Sequence, residues 1–155
     1  MIPSGKWLNA VRHILRDVNS GGRGSAYRRG EQMKYMLLVH HNEESFRKRS
    51  DAERNQMLQE SVQLAQQLHA SGQYLDAAPL HPSSETTCVV VRDGRSLVTD
   101  GPFVETREQL GGYFLIEAKD LEEAIGIATR IPGACIGTVE IRPVTQVAGL
   151  PARKA

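Results

Sequence analysis

The run Thr99-Asp100-Gly101-Pro102-Phe103-Val104-Glu105-Thr106-Arg107-Glu108 sets four charged side chains around a Gly-Pro corner, directly behind a β-like stretch. Gly101 has access to backbone angles closed to other residues, and Pro102 fixes φ at about −65° and removes an N–H. The carboxylate of Asp100 therefore leaves the preceding strand at a nearly fixed angle, as a general acid/base or a polar ligand contact requires. The same corner also suits a structural turn in which Asp100 accepts bonds from nearby backbone N–H groups. The residues alone leave both readings open.

Histidine is the natural proton shuttle near neutral pH. His40 and His41 end the first apolar run of the chain, and strand alternation sends them to opposite faces, so no more than one points inward. His41 is taken with Asp100 as the candidate catalytic pair. Glu105, Arg107, Glu140 and Arg142 are the candidate ligand-binding residues: the guanidinium of Arg142 suits an anionic group, while Glu140 and Glu105 offer a base. The alternative is a structural charge network in which Glu140 and Arg142 pair with Arg107 and Asp100. Ser83, Ser84 and Ser96 lack nucleophile-elbow spacing, the Asp100-Gly101 turn is neither a calcium nor a phosphate loop, and no nucleotide fingerprint occurs. Neither a metal nor an organic cofactor is expected.

These side chains must be held by regular elements, and the sequence marks them. Residues 34–40 form an apolar run without alternation, as expected of a strand buried on both faces. Ser50 and Glu53 form a capping-box pair, and Met57, Leu58, Val62, Leu64, Ala65 and Leu68 then recur at helical spacing up to Gly72, which predicts a helix over 51–71. A short strand at 73–77 follows, then a loop punctuated by Pro79 and Pro82. Residues 86–92 and 95–99 flank Asp93-Gly94, a pair suited to a type I′ turn, and predict a β-hairpin. Residues 112–118 make another strand apolar on both faces. Asp120 and Glu123 open a second helix that ends before Pro132. The strand at 137–144 puts Val139 and Ile141 on one face and Thr138, Glu140 and Arg142 on the other.

The order β-α-β-hairpin-β-α-β is a ferredoxin-like α+β plan with an inserted hairpin. Two helices cover only one face of such a sheet, yet its strands are apolar on both. Large side chains left wet on the second face would each forgo about 1.5–3 kcal/mol of burial. A second copy of the same sheet is the simplest cover, giving a homodimer with a barrel-like core.

At 155 residues, 40% hydrophobic and 24% charged, the chain has the composition of one ordinary globular domain. Residues 1–32 carry six basic groups against two acidic ones, leaving 13 basic and 16 acidic of the chain's 19 and 18 for the remainder. A slightly acidic domain provides no basic field to collect phosphates, which argues against direct nucleic-acid binding. The apolar residues Trp7 to Val18 recur at helical spacing ahead of a Gly/Ser-rich stretch, and residues 1–32 are read as a flexible or non-native extension. The domain itself spans 33–145, with a C-terminal tail at 146–155. Two cysteines make no disulfide framework, and no apolar run reaches the roughly 20 residues of a membrane span, so a cytoplasmic location is expected with no membrane partner.

Asp100-Gly101-Pro102-Phe103 with Glu105-Thr106-Arg107-Glu108, then Gly111-Gly112-Tyr113, Glu123-Ala124 and Val139-Glu140-Ile141-Arg142-Pro143-Val144, resemble in order the YCII-related family and its DGPF-motif branch. The resemblance implies a dimeric ferredoxin-like α/β barrel and an enzymatic role carried by a His/Asp combination. It also implies a possible link to extracytoplasmic-function sigma factors, to which related domains are fused. The family aspartate falls on Asp100. The family histidine near the start of the 51–71 helix has no counterpart here, where the helix begins Asp-Ala-Glu-Arg-Asn-Gln and has only His69 near its far end. Arg107 stands where the branch usually has lysine, keeping the charge and adding a planar fork. Two functions remain: a small-molecule-binding protein or cofactor-independent acid/base enzyme with a polar pocket near the corner, or a non-catalytic dimeric module regulating transcription with a sigma-factor partner.

Overall fold

A computed structural model describes residues 32–151. The expected extension, apart from Gln32, lies outside the described residues, as do residues 152–155 of the tail. Strand β1 (Met33–His41) leads into a short helix α1 (Glu43–Arg47) and then the long helix α2 (Asp51–Ala70). Strand β2 (Tyr74–Pro79) precedes the hairpin β3 (Thr87–Arg92) and β4 (Arg95–Asp100). Strand β5 (Gln109–Ala118), helix α3 (Leu121–Ala128) and β6 (Gly137–Pro143) complete the domain, with a 3-10 turn at Pro132–Cys135 before β6.

Four strands form one sheet in the order β2-β5-β1-β6, paired antiparallel throughout, which is the ferredoxin-like arrangement. The fold is α+β. Helix α2 starts where expected, because Ser50 Oγ accepts from Glu53 N while Glu53 Oε2 accepts from Ser50 N at 2.8 Å. It stops at Ser71 and Gly72, the latter at φ 75°, a left-handed conformation that glycine adopts without a Cβ penalty. The Asp120 carboxylate accepts from Glu123 N at 2.9 Å and starts α3.

One face of the sheet packs against the helices. Tyr35 and Leu37 of β1 and Phe114, Ile116 and Ala118 of β5 alternate inward against Leu64 and Leu68 of α2 and Ala124, Ile127 and Ala128 of α3. The other face carries Met36 and Leu38 from β1, Tyr113 and Leu115 from β5, and Glu140 and Arg142 from β6. In the single chain it is only half-buried or exposed. Val139 and Ile141 lie on the helix side, so β6 presents the two faces that its alternation predicts.

Two differences from the expected elements matter for the site. Helix α1 is additional: five residues are too few to show a helical period, although Asn42 at its N-cap accepts from Ser45 N at 2.8 Å. The hairpin stands as a separate two-stranded sheet, with Asp93 and Gly94 at φ 49° and 74° as a type I′ turn requires. Its first strand is apolar on both faces from Thr87 to Val91. In the single chain every residue of β4 is exposed, because neither strand joins the main sheet and no helix covers them.

Candidate functional site

The end of β1 separates the two histidines. Its register with β6 runs unbroken through His40↔Thr138 and His41↔Gly137, and against β5 it slips between Val39 and His40. His41 falls on the helix side and His40 on the open side. The His41 ring lies against Phe46 of α1, with centroids 4.6 Å apart and planes inclined by 46°. Its other boundary is Gly111 of β5, where an added Cβ would sit 2.6 Å from His41 Nδ1 and 3.3 Å from Nε2. Only a residue without a side chain lets the ring take this position.

His41 borders a cavity of about 510 Å³ between α2 and the helix-side face of the sheet, a size within the range of small-molecule sites. Met57, Leu58 and Val62 of α2 and Phe114 of β5 supply much of its apolar lining. Burial pushes the His41 pKa below the ordinary imidazole value of 6.5; the carboxylates of Glu43 and Glu108 oppose this shift and His40 adds to it. His41 is therefore biased toward the neutral imidazole, which has one nitrogen able to accept a proton.

Helix α1, which carries Phe46, is fastened from three sides. The Glu43 carboxylate accepts from Ser83 N and from Ser83 Oγ, each at 2.7 Å, a charge-assisted pair of bonds across 40 residues of sequence. Gln109 Oε1 accepts from Glu43 N at 3.1 Å, and Asn42 Nδ2 donates to the Arg107 carbonyl at 3.0 Å. Arg54 donates through Nη1 to the carbonyls of Arg47 and Arg49 at 2.8 and 3.0 Å, capping the end of α1, while Nη2 bonds Asp51. The segment just after the Gly-Pro corner thus holds α1 through the Arg107 backbone and the Gln109 side chain.

The sequence-selected residues are dispersed. His41 lines the cavity; Asp100, Glu105, Arg107, Glu140 and Arg142 do not. Asp100 ends β4 in the second sheet, opposite Thr87, and its exposed carboxylate has no hydrogen bond or ion pair among the described residues. Gly101, at φ 95°, donates its N–H to the Thr86 carbonyl at 2.7 Å, and the Cys88 thiol donates to the Gly101 carbonyl at 3.2 Å. Glu105 and Arg107 are exposed. Glu140 lies 3.6 Å from Arg142 Nε and 3.4 Å from His40 Nε2 on the open face of the sheet. That His40 nitrogen is shielded from solvent yet misaligned for a hydrogen bond. Of the four charges considered as a network, Glu140 and Arg142 pair, with His40 as their neighbour. Among the described residues no three His, Cys, Asp or Glu side chains cluster to hold a metal ion.

Sequence reasoning missed Asn42, Glu43, Phe46, Gly111 and Gln109. Asn42 and the Gly111-Gly112 doublet were visible as a helix cap and a close-approach signal. The Glu43–Ser83 contact has no local signature.

An antiparallel ferredoxin-like sheet with a cavity under its long helix defines a class of small α+β domains rather than a chemistry. The sequence pattern of the YCII-related domain matches residues 33–148, and the chain belongs to that family. It is also similar to the uncharacterised protein R00369 of Rhizobium meliloti (strain 1021), at 29% identity over 114 residues, covering 72% of this chain and 92% of that protein. No helix among the described residues is long and apolar enough to cross a membrane.

Proposed function

We propose that this YCII-related protein binds a small molecule in the cavity beneath α2, with His41 as the proton-accepting group, and that it works as a homodimer closed over the open face of its sheet. The observation that carries the reading is the His41 ring, held between Phe46 and Gly111 on the wall of a cavity of about 510 Å³. A half-buried imidazole biased to its neutral form is suited to removing a proton from a bound ligand without metal or organic cofactor. Asp100 and the charges around it then act at the corner, whose downstream end holds α1 in place, and not as the immediate partner of His41. The half-buried apolar residues Met36, Leu38, Tyr113 and Leu115 on the open face support the homodimer.

The test is a metabolite thermal-shift screen on the full chain and on Val62→Trp, whose indole would fill the cavity mouth. Binding to the folded state raises the midpoint by mass action. Stabilising compounds should lose their effect in the variant; compounds that stabilise both proteins equally would contradict the site.

A second reading, a non-catalytic module acting with a sigma-factor partner, rests on a different observation. Val89, Val91, Leu97 and Val98 of the hairpin are exposed apolar side chains, and Phe103 beside them is 84% exposed. Such a surface suits a protein partner. Pull-down with a sigma factor, compared between the wild type and Leu97→Lys, addresses it directly.

A further inference from the structure

The charge inventory of the cavity narrows what it can take, given the reading that the cavity is a binding site. No carboxylate lines it, and the nearest to His41, those of Glu43 and Glu108, lie outside the lining. Arg54 is the single permanently charged side chain in the lining, and its guanidinium is already engaged with the Arg47 and Arg49 carbonyls and with Asp51. Nη1 holds the end of α1 and Nη2 pairs with Asp51, so the charge of Arg54 is already matched before an anionic ligand arrives. Either kind of charge would exchange water for a mostly apolar lining that has no uncommitted counter-charge, which is costly.

The polar side chains that remain are Ser61, Gln66, His69, His41 and the tyrosines Tyr74 and Tyr113, the last of which donates its hydroxyl to Asp76 at 3.1 Å. Ser61 Oγ spends its proton on the Met57 carbonyl at 2.9 Å. Gln66 and His69 sit on the exposed side of α2, with the His69 ring edge-on to Tyr74 at 6.2 Å. His41 lies deeper, and its ring makes no side-chain hydrogen bond among the described residues while resting against Phe46 and Gly111. Its hydrogen-bonding capacity is unspent.

We propose that the cavity selects an uncharged, largely apolar compound that makes one hydrogen bond to the His41 imidazole. The apolar body would lie among Met57, Leu58, Val62 and Phe114, and the polar group would meet His41 beneath Phe46.

Four indoles of matched ring size test this on the full chain at pH 7.5: indole, 1-methylindole, indole-3-acetate and tryptamine. Calorimetry reads affinity, and NMR of labelled histidine reads the His41 ring. Indole should bind and shift the His41 signals. Methylation of its nitrogen should weaken binding by about three- to tenfold through the lost hydrogen bond. The anion and the cation should bind at least about tenfold more weakly than indole. Tighter binding of indole-3-acetate or tryptamine overturns the proposal, as does an indole complex that leaves His41 unshifted, or no binding by any of the four. Leu58→Trp and Val62→Trp separate this failure from failure of the site. If both variants abolish binding of a charged probe that wins the comparison, the site stands and its selectivity is refuted. If binding survives in both variants, the cavity is not the site.

Discussion

Replacing Gly111 by alanine probes the packing of His41 with a single methyl group. The backbone at Gly111 is not in the left-handed region, so alanine meets no conformational barrier there, and the loss of glycine's freedom should by itself stabilise a strand by about 0.5–1 kcal/mol. The methyl would stand 2.6 Å from His41 Nδ1 and closer still to Cε1, where ordinary contact begins at 3.4 Å. A gap of that size exceeds what a few tenths of an ångström of relaxation can supply, so the ring must leave Phe46. Overpacking of this kind costs about 1–3 kcal/mol, which leaves a net loss on the order of 1 kcal/mol and a Tm lower by a few degrees. A displaced ring gains solvent, so the burial that depresses its pKa is relieved while Glu43 and Glu108 still favour the cation. Denaturant melts together with an NMR titration of His41 measure both effects. A more stable Gly111→Ala protein with an unchanged His41 titration would refute the packing of the ring.

The depressed His41 pKa predicts a sign for the pH dependence. The unfolded chain binds the extra proton more readily, so the stability tied to neutral His41 is complete above about pH 6.5 and is lost as pH falls through the lower folded value; melts of His41→Asn should show a shallower loss there. Glu43→Ala should cost about 1–3 kcal/mol, and the double variant with Ser83→Ala should cost less than the sum, since both remove the Ser83 Oγ bond while only Glu43→Ala also removes the bond from Ser83 N. Asp100→Asn should stay within about 0.5 kcal/mol of wild type in denaturant melts, because its exposed carboxylate has no partner among the described residues. Sedimentation at micromolar concentration should find a dimer that Leu115→Lys dissociates; a wild-type monomer that binds no hydrophobic dye would contradict the covered open face.

What the sequence made legible follows the range of each signal. Caps, turns and periodicity act over a few residues, and Ser50 with Glu53, Asp93 with Gly94, and the alternation of Val139 to Arg142 all appear in the structure as read. Alternation also required His40 and His41 to part, although only the register shows which one takes the helix side. The cavity was not legible, because it depends on the space between α2 and the sheet and on pairings such as Glu43 with Ser83 that no local pattern encodes. The corner drew attention by its density of charge. Its aimed carboxylate sits on a hairpin that pairs with itself, so tertiary placement, not turn chemistry, decided what Asp100 faces.

The central claim is that the cavity beneath α2 is the binding site. NMR of the full chain, labelled at histidine rings and at methionine and valine methyls and titrated with a compound that stabilises it in the thermal screen, tests this most directly. The account predicts perturbation of His41, Met57 and Val62, with the signals of Val98 and Val104 flanking the Asp100 corner unmoved. Perturbation confined to Val98 and Val104, with His41 and Met57 unchanged, would contradict it.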